Sequence, residues 1–295
     1  MSADTAIAPP QLRPLALGEI LDVSIKLVTR NWRALATVVL VVTVPVGVIS
    51  LLITTSTTSY DPLLDVRTAD DGAAYVAGAL VNALLQLLLY LLAPAACTAL
   101  LADAYLGRRP EWQPSLATAA RRAPAVFAMS VAVGLGLLVG FTALVIPAIF
   151  LGVRWSVALP ALLLERRGPF AAIGRSWSLV GGFWWKCFGT VFVAYLLVIV
   201  LSFATGAVLG AVLALLASTD SFLGISLQEL VTVGVELFAL PLLAAVTLVL
   251  YVDLRVRKEG FDLALAADHM AASQPVEAVA PEQPFEPARH PAFGE

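Results

Sequence analysis

Two charged side chains interrupt long apolar runs in this sequence, Arg154 and Glu236. A charge near the centre of a bilayer costs at least a few kcal/mol unless it is paired or hydrated. Arg154 follows Pro147 by seven residues and Glu236 follows Glu229 by seven, and both reference points read as entries into a span. At 1.5 Å per residue both would lie about 10 Å below the same boundary. Equal depth and opposite charge make a mutual ion pair the economical reading, either as a structural clasp or as a proton- or substrate-handling site. Asn82 and Gln86, one helical turn apart, would complete a polar cluster. Hydrolytic chemistry lacks its parts. The only histidines, His269 and His290, sit in the C-terminal tail, so a metal-dependent or Ser–His site within the apolar region has no ligands. There is no GxxxxGK[ST] phosphate loop. Cys97 and Cys187 read as buried free thiols. The expectation is a protein without catalytic residues, metal or cofactor, and not an enzyme.

These residues must be positioned by membrane-spanning helices. Of the 295 residues 60% are hydrophobic and only 13% charged, with mean hydropathy +0.89. Soluble domains average about 45–50% apolar and about 25% charged, so most of this chain must face lipid. The net charge of −3 gives no hint of a nucleic-acid partner. The expected class is an all-α integral membrane protein, a six-span helical bundle of three hairpins, each preceded by a cytoplasmic amphipathic helix. The spans are expected at about 34–55, 74–102, 123–141, 145–164, 187–216 and 229–252. The forty apolar residues Ala123–Leu164 are twice the roughly 20 needed for one crossing, which predicts a turn near Phe141–Pro147. Residues 15–265 form the membrane domain. Residues 1–14 and the acidic, Pro-rich 266–295 are expected to be disordered. A polar lead of more than thirty residues precedes the first apolar run and predicts no cleavable signal peptide.

The basic residues set the orientation. With the N-terminus inside, sixteen of the eighteen Lys and Arg residues fall on the cytoplasmic side, with Arg67 outside and Arg154 within a span. This is the positive-inside bias, and it places both termini in the cytoplasm. The stretch Leu162–Phe188 holds Arg166, Arg167, Arg175 and Lys186 beside an expected apolar stripe of Phe170, Ile173, Trp177, Val180 and Trp184. It reads as an interfacial helix whose four cations attract anionic lipid headgroups. A second such helix starts at Leu15, with Leu17, Leu21, Ile25, Val28 and Trp32 on one side and an Asp22–Lys26 pair on the other. Ser24, Leu27, Val28 and Trp32 match Ser176, Leu179, Val180 and Trp184 at a constant offset of 152. This is a weak internal repeat. Gly136–Gly140 and Gly206–Gly210 have the GxxxG spacing that permits close helix contact.

The leader LALGEILDVS, the Arg154–Trp155 pair with Pro160, ERRGPFAAIGRSW and YVDLRVRKEGFDL together resemble the glycerophosphoryl diester phosphodiesterase membrane-domain family over residues 13–265. The resemblance implies a bacterial membrane domain. The family's name comes from members fused to a soluble catalytic barrel. No segment outside the apolar region here is long enough for one, so the name implies no catalysis. The function expected is a non-enzymatic scaffold or accessory subunit in the cell membrane, touching anionic lipids and a membrane-protein partner. A transporter or lipid-handling protein using the polar cluster is the alternative.

Overall fold

A computed structural model describes residues 15–61, 66–69, 71–143, 145–216 and 222–260. The segments 1–14 and 266–295, expected to be disordered, lie outside the described residues. The chain runs α1 (Leu17–Arg30), α2 (Trp32–Thr57), β1 (Thr58–Asp61), β2 (Val66–Ala69), α3 (Gly72–Tyr105), α4 (Trp112–Ala143), α5 (Val145–Trp155), α6 (Ala158–Leu164), α7 (Pro169–Val180), α8 (Trp184–Leu216) and α9 (Phe222–Glu259). The strands form one small antiparallel hairpin pairing Thr58 with Ala69 and Asp61 with Val66. Everything else regular among the described residues is helix.

Among the described residues six helical stretches are long and apolar enough to cross a membrane: Trp32–Thr57, Gly72–Tyr105, Trp112–Thr142, Val145–Leu164, Trp184–Val208 and Glu229–Glu259. Large apolar side chains remain exposed along them, among them Val139, Ile146, Val200 and Phe203. Water does not tolerate so continuous an apolar surface on a monomer, whereas lipid does. Prolines at 45, 94, 124 and 241 sit inside these helices without ending them. Neighbouring helices make such interruptions tolerable in a membrane. Several buried hydroxyls turn back onto their own helix, as Thr43 does to the Val39 carbonyl (2.9 Å) and Ser24 to that of Ile20 (2.7 Å), which satisfies these donors within the core.

The helices are organised round α9. Of its spanning window 44% is buried against protein, compared with 6% for α8. Leu248, Val249, Leu250, Tyr251 and Leu254 are all fully buried. Around this half of α9 pack α1, α2, α3, α6, α7 and the start of α8. Helix α9 ends where Gly260 takes φ 59°, the left-handed conformation that glycine adopts without strain.

Two expected faces are turned differently. On α7 the buried residues are Ala172, Ser176, Leu179 and Val180, while Phe170 and Trp177 from the expected stripe are exposed. On α1, Ile20 and Ser24 are buried and Ile25 is exposed, as is Trp32 at the start of α2. In both helices a serine is buried beside apolar residues, and part of the expected apolar stripe turns outward. The middle unit has no separate leading helix, because α4 is continuous from Trp112 through the basic Arg121–Arg122 pair to Ala143.

The two GxxxG spacings have opposite environments. A Cβ at Gly136 would lie 2.4 Å from the Trp155 ring, and one at Gly140 would lie 3.1 Å from the Ala148 backbone, so this pair lets α4 and α5 close on each other. Gly206 and Gly210 have nothing within 4 Å. Gly136→Ala is therefore expected to lower stability by about 1–3 kcal/mol through overpacking, and Gly206→Ala to leave it unchanged. Thermal unfolding of the two variants in the same detergent checks this, and equal melting temperatures would contradict the close α4–α5 approach.

Candidate functional site

The charged residues gather at the end of α9. Asp253 projects from its last turns with a carboxylate 0% exposed to solvent. A buried charge of this kind survives only if it is paired and fully hydrogen-bonded. Lys186, from the first turn of α8, donates to Asp253 Oδ2. Arg257, one turn further along α9, donates its Nε to the same oxygen at 3.0 Å. The backbone N–H of Leu15, just before α1, donates to Oδ1 at 2.7 Å. The Leu15 carbonyl then accepts from Lys186 Nζ and Arg257 Nη2, both at 2.8 Å. The backbone N–H and C=O of one residue, one carboxylate and two cations thus close a ring joining the two ends of the described fold to α8.

A second cluster adjoins it. Glu165, at the turn between α6 and α7, accepts from Tyr251 Oη (2.6 Å), Arg175 Nε (2.8 Å) and Arg167 Nε (2.5 Å). Arg175 also reaches Glu259 (2.5 Å), which pairs with Arg255 (3.1 Å). Burial pushes the Glu165 carboxyl up, and the hydrogen bonds from Tyr251, Arg175 and Arg167 outweigh it, so the group lies below its ordinary 4.5. The bond to Glu259, with Glu165 beside it, holds the Arg175 guanidinium above its usual range despite burial. The turn between the helices is tight. Arg166 has φ 51°, an uncommon conformation for a side-chain-bearing residue.

The expected Arg154–Glu236 pair does not form. Arg154 Nη1 donates to the Trp177 carbonyl at 3.0 Å, its guanidinium lies 4.5 Å from the Trp177 ring centre and 5.2 Å from that of Phe150, and its Nε is buried without an acceptor. Lys258 takes the next carbonyl, Ser178 O, at 2.5 Å. The two cations cap the C-terminal end of α7, where free carbonyls and the helix dipole favour positive charge. Arg154 therefore sits beside Lys258 at one end of α9. Glu236 lies about 22 residues back along that helix, some 30 Å away at 1.5 Å per residue. Counting from each span's entry failed because α5 ends at Trp155 against α7 and does not run beside α9.

The other candidates divide. Arg175 and Lys186, expected to face lipid headgroups, are only 17% and 19% exposed and spend their donors on carboxylates. Arg166 and Arg167 remain at the surface. Asn82 accepts from Ser50 of α2 at 2.6 Å, and Gln86 is half-buried one turn below it. Aromatic rings flank the charged end, with Phe150 5.8 Å from Trp184, Trp184 stacked at 5.3 Å on Phe188, and Trp184 edge-on to Trp185 at 4.7 Å. Sequence reasoning missed Asp253, Glu165, Tyr251 and Glu259. The i,i+4 spacing of Asp253 and Arg257 was available as a signal, whereas their partners at Leu15 and Lys186 were not. Among the described residues no group of three or more His, Cys, Asp or Glu side chains is placed to hold a metal ion. Comparison with protein-family models, curated proteins and solved structures found no match to this chain.

Chemically, every charge in the two clusters is used to hold another. Asp253→Ala would leave the half-buried Lys186 and the more exposed Arg257 without their shared counter-charge and is expected to cost about 3 kcal/mol, the low end for breaking a buried pair. Lys186→Met combined with Asp253→Leu should lose less than the sum of the single changes. Strictly additive losses in denaturation would show that the two side chains are not coupled. Acid acts through Glu165. Its folded value is depressed, so its contribution is complete above about pH 4.5 and is lost as pH falls through the lower folded value. Glu165→Gln should therefore flatten the acid limb of a stability–pH curve and leave the neutral-to-alkaline slope unchanged. An unaltered acid limb would remove Glu165 from this role.

Proposed function

We propose that this protein is a non-enzymatic multi-pass membrane protein, a scaffold or accessory subunit, with both ends of its membrane domain at the cytoplasmic face. The observation that carries this reading is that Asp253, Lys186, Arg257 and the Leu15 backbone N–H and C=O use their hydrogen bonds on one another. The most polar part of the bundle is thereby committed to fixing helix ends in place. Both ends of the domain meet in that ring, which agrees with an even number of crossings. The positive-inside bias makes this the cytoplasmic end. Helices α1 and α7 then act as the cytoplasmic leading helices of the first and last hairpins, and the four-residue repeat falls on them. The surface cations left to meet anionic headgroups are Arg166 and Arg167 on the turn before α7, with Arg30 and Arg33 beside the exposed Trp32. The resemblance to the phosphodiesterase membrane-domain family supports reading this region as a membrane domain.

A transporter or lipid-handling protein is the second reading, favoured by the polar side chains that α2, α3 and α9 bring together. Purification in native-lipid nanodiscs distinguishes the two. A scaffold should bring down a membrane-protein partner in near-stoichiometric amount. A chain that purifies alone and melts higher with a small solute would replace the scaffold with the transporter. Orientation is tested separately by cysteine labelling. Ala73→Cys should react with an impermeant thiol reagent in intact cells and Arg109→Cys only after permeabilisation, and the reverse pattern would invert the topology.

A further inference from the structure

Glu236 is left without the counter-charge that the sequence offered it. It is nine-tenths buried, at 9% exposure. Among the described residues no hydrogen bond or ion pair reaches it. Its surroundings can be built up from three helices. On α2, Thr43, Gly47 and Ser50 recur at four- and three-residue steps and share one face. On α3, Asn82, Gln86 and Tyr90 do the same at four-residue steps. On α9, Glu229 and Glu236 are two turns apart, about 10 Å along the axis. Two contacts bring these faces together. A Cβ at Gly47 would lie 3.8 Å from Glu229 Oε2, and the Ser50 hydroxyl bonds Asn82. Tyr90 is two turns past Asn82 on α3 as Glu236 is two turns past Glu229 on α9, and the two helices pack on each other. The result is two polar layers at the end of the bundle remote from Asp253. Glu229, Gly47, Ser50 and Asn82 form one, and Glu236 and Tyr90 form the other, deeper in.

No cation neutralises this region among the described residues. Helix α2 carries no Asp, Glu, Lys or Arg after Arg33, and the only charged residue of α8 is Lys186, committed to Asp253 at the far end. Helix α3 contributes Tyr90 here and has its one charged residue, Asp103, near its other end. A buried carboxylate with no counter-ion in a low-dielectric medium becomes neutral by taking up a proton. Two carboxylates at different depths give such a proton a route, since the shallower one exchanges with water.

We propose that Glu236 is a reversible proton-binding site within the membrane, loaded from the aqueous phase on the Glu229 side. The Glu236 carboxylate takes one proton to become the neutral acid and returns it by the same route, with no other bond made or broken. Glu229 is the exchange residue, and the Ser50–Asn82 hydrogen bond lies beside it in the outer layer. The inference is independent of the scaffold reading, because partner copurification does not depend on the protonation of Glu236.

The test uses full-length protein in lipid nanodiscs treated with a hydrophobic carbodiimide, which reacts with buried neutral carboxyls, followed by peptide mass spectrometry. Glu236 should be the carboxyl modified fastest at neutral pH, its rate should fall as pH rises, and Glu229→Gln should slow the response to a pH jump. Infrared spectra should show a protonated-carboxyl band in the wild type that Glu236→Gln removes. An unmodified Glu236 at every pH would overturn the proposal on the wild type alone, whatever the variants do. So would protection by millimolar sodium at constant pH, which would make the site one for a metal cation.

Discussion

A carboxylate removed wholly from solvent must be satisfied on every side, and Asp253 imposes that requirement on three parts of the chain at once. Its partners come from the segment before α1, from the start of α8 and from its own helix. None can move without stranding a charge in a medium that does not screen it. The packing of α9 follows from this. The residues flanking Asp253, from Leu248 to Leu254, are buried by six other helices. Apolar contact alone gives little preference for protein over lipid, because both are equally greasy. The ionic ring supplies the directional part that apolar packing lacks, and Glu165 with Tyr251 and Arg175 extends it to the α6–α7 turn.

That difference explains what could be read in the sequence. A bilayer demands long apolar segments, so six such stretches were visible in composition alone. The pairing of Asp22 with Lys26, at 2.7 Å, was visible because helix geometry fixes neighbours four residues apart. The face each helix turns to protein was not visible. Hydrophobicity does not tell a lipid-facing Trp177 from a core residue, and the buried side of α7 is marked by Ala172 and Ser176, which carry no hydrophobic signal. The ionic partners were hidden for another reason. Leu15 and Asp253 are 238 positions apart, and the Leu15 contribution comes from a peptide group that any residue but proline would offer in full.

The misplacement of Arg154 shows how depth arguments fail. They treat each span as an upright rod entered at a known level. Here α5 stops at Trp155, the chain breaks before Ala158, and α7 returns across the same region. An arginine that looked mid-membrane instead serves the end of another helix, with Phe150 and Trp177 covering its guanidinium. The aromatic rings continue through Trp184 and Phe188, a clustering of the kind found at a water–lipid boundary.

The ring through Leu15 has a geometric corollary. Because the first described peptide group is bonded to a side chain six residues from the last helical position, Glu259, the backbone of the membrane domain is nearly a closed circuit. Its entry and exit lie side by side, so domains grafted to the two ends would be held at a fixed short separation. The circuit could also be sealed by a short linker and reopened at another connection with the helical arrangement kept. Such permuted chains would begin and end elsewhere but would still have to bring the same peptide group to Asp253.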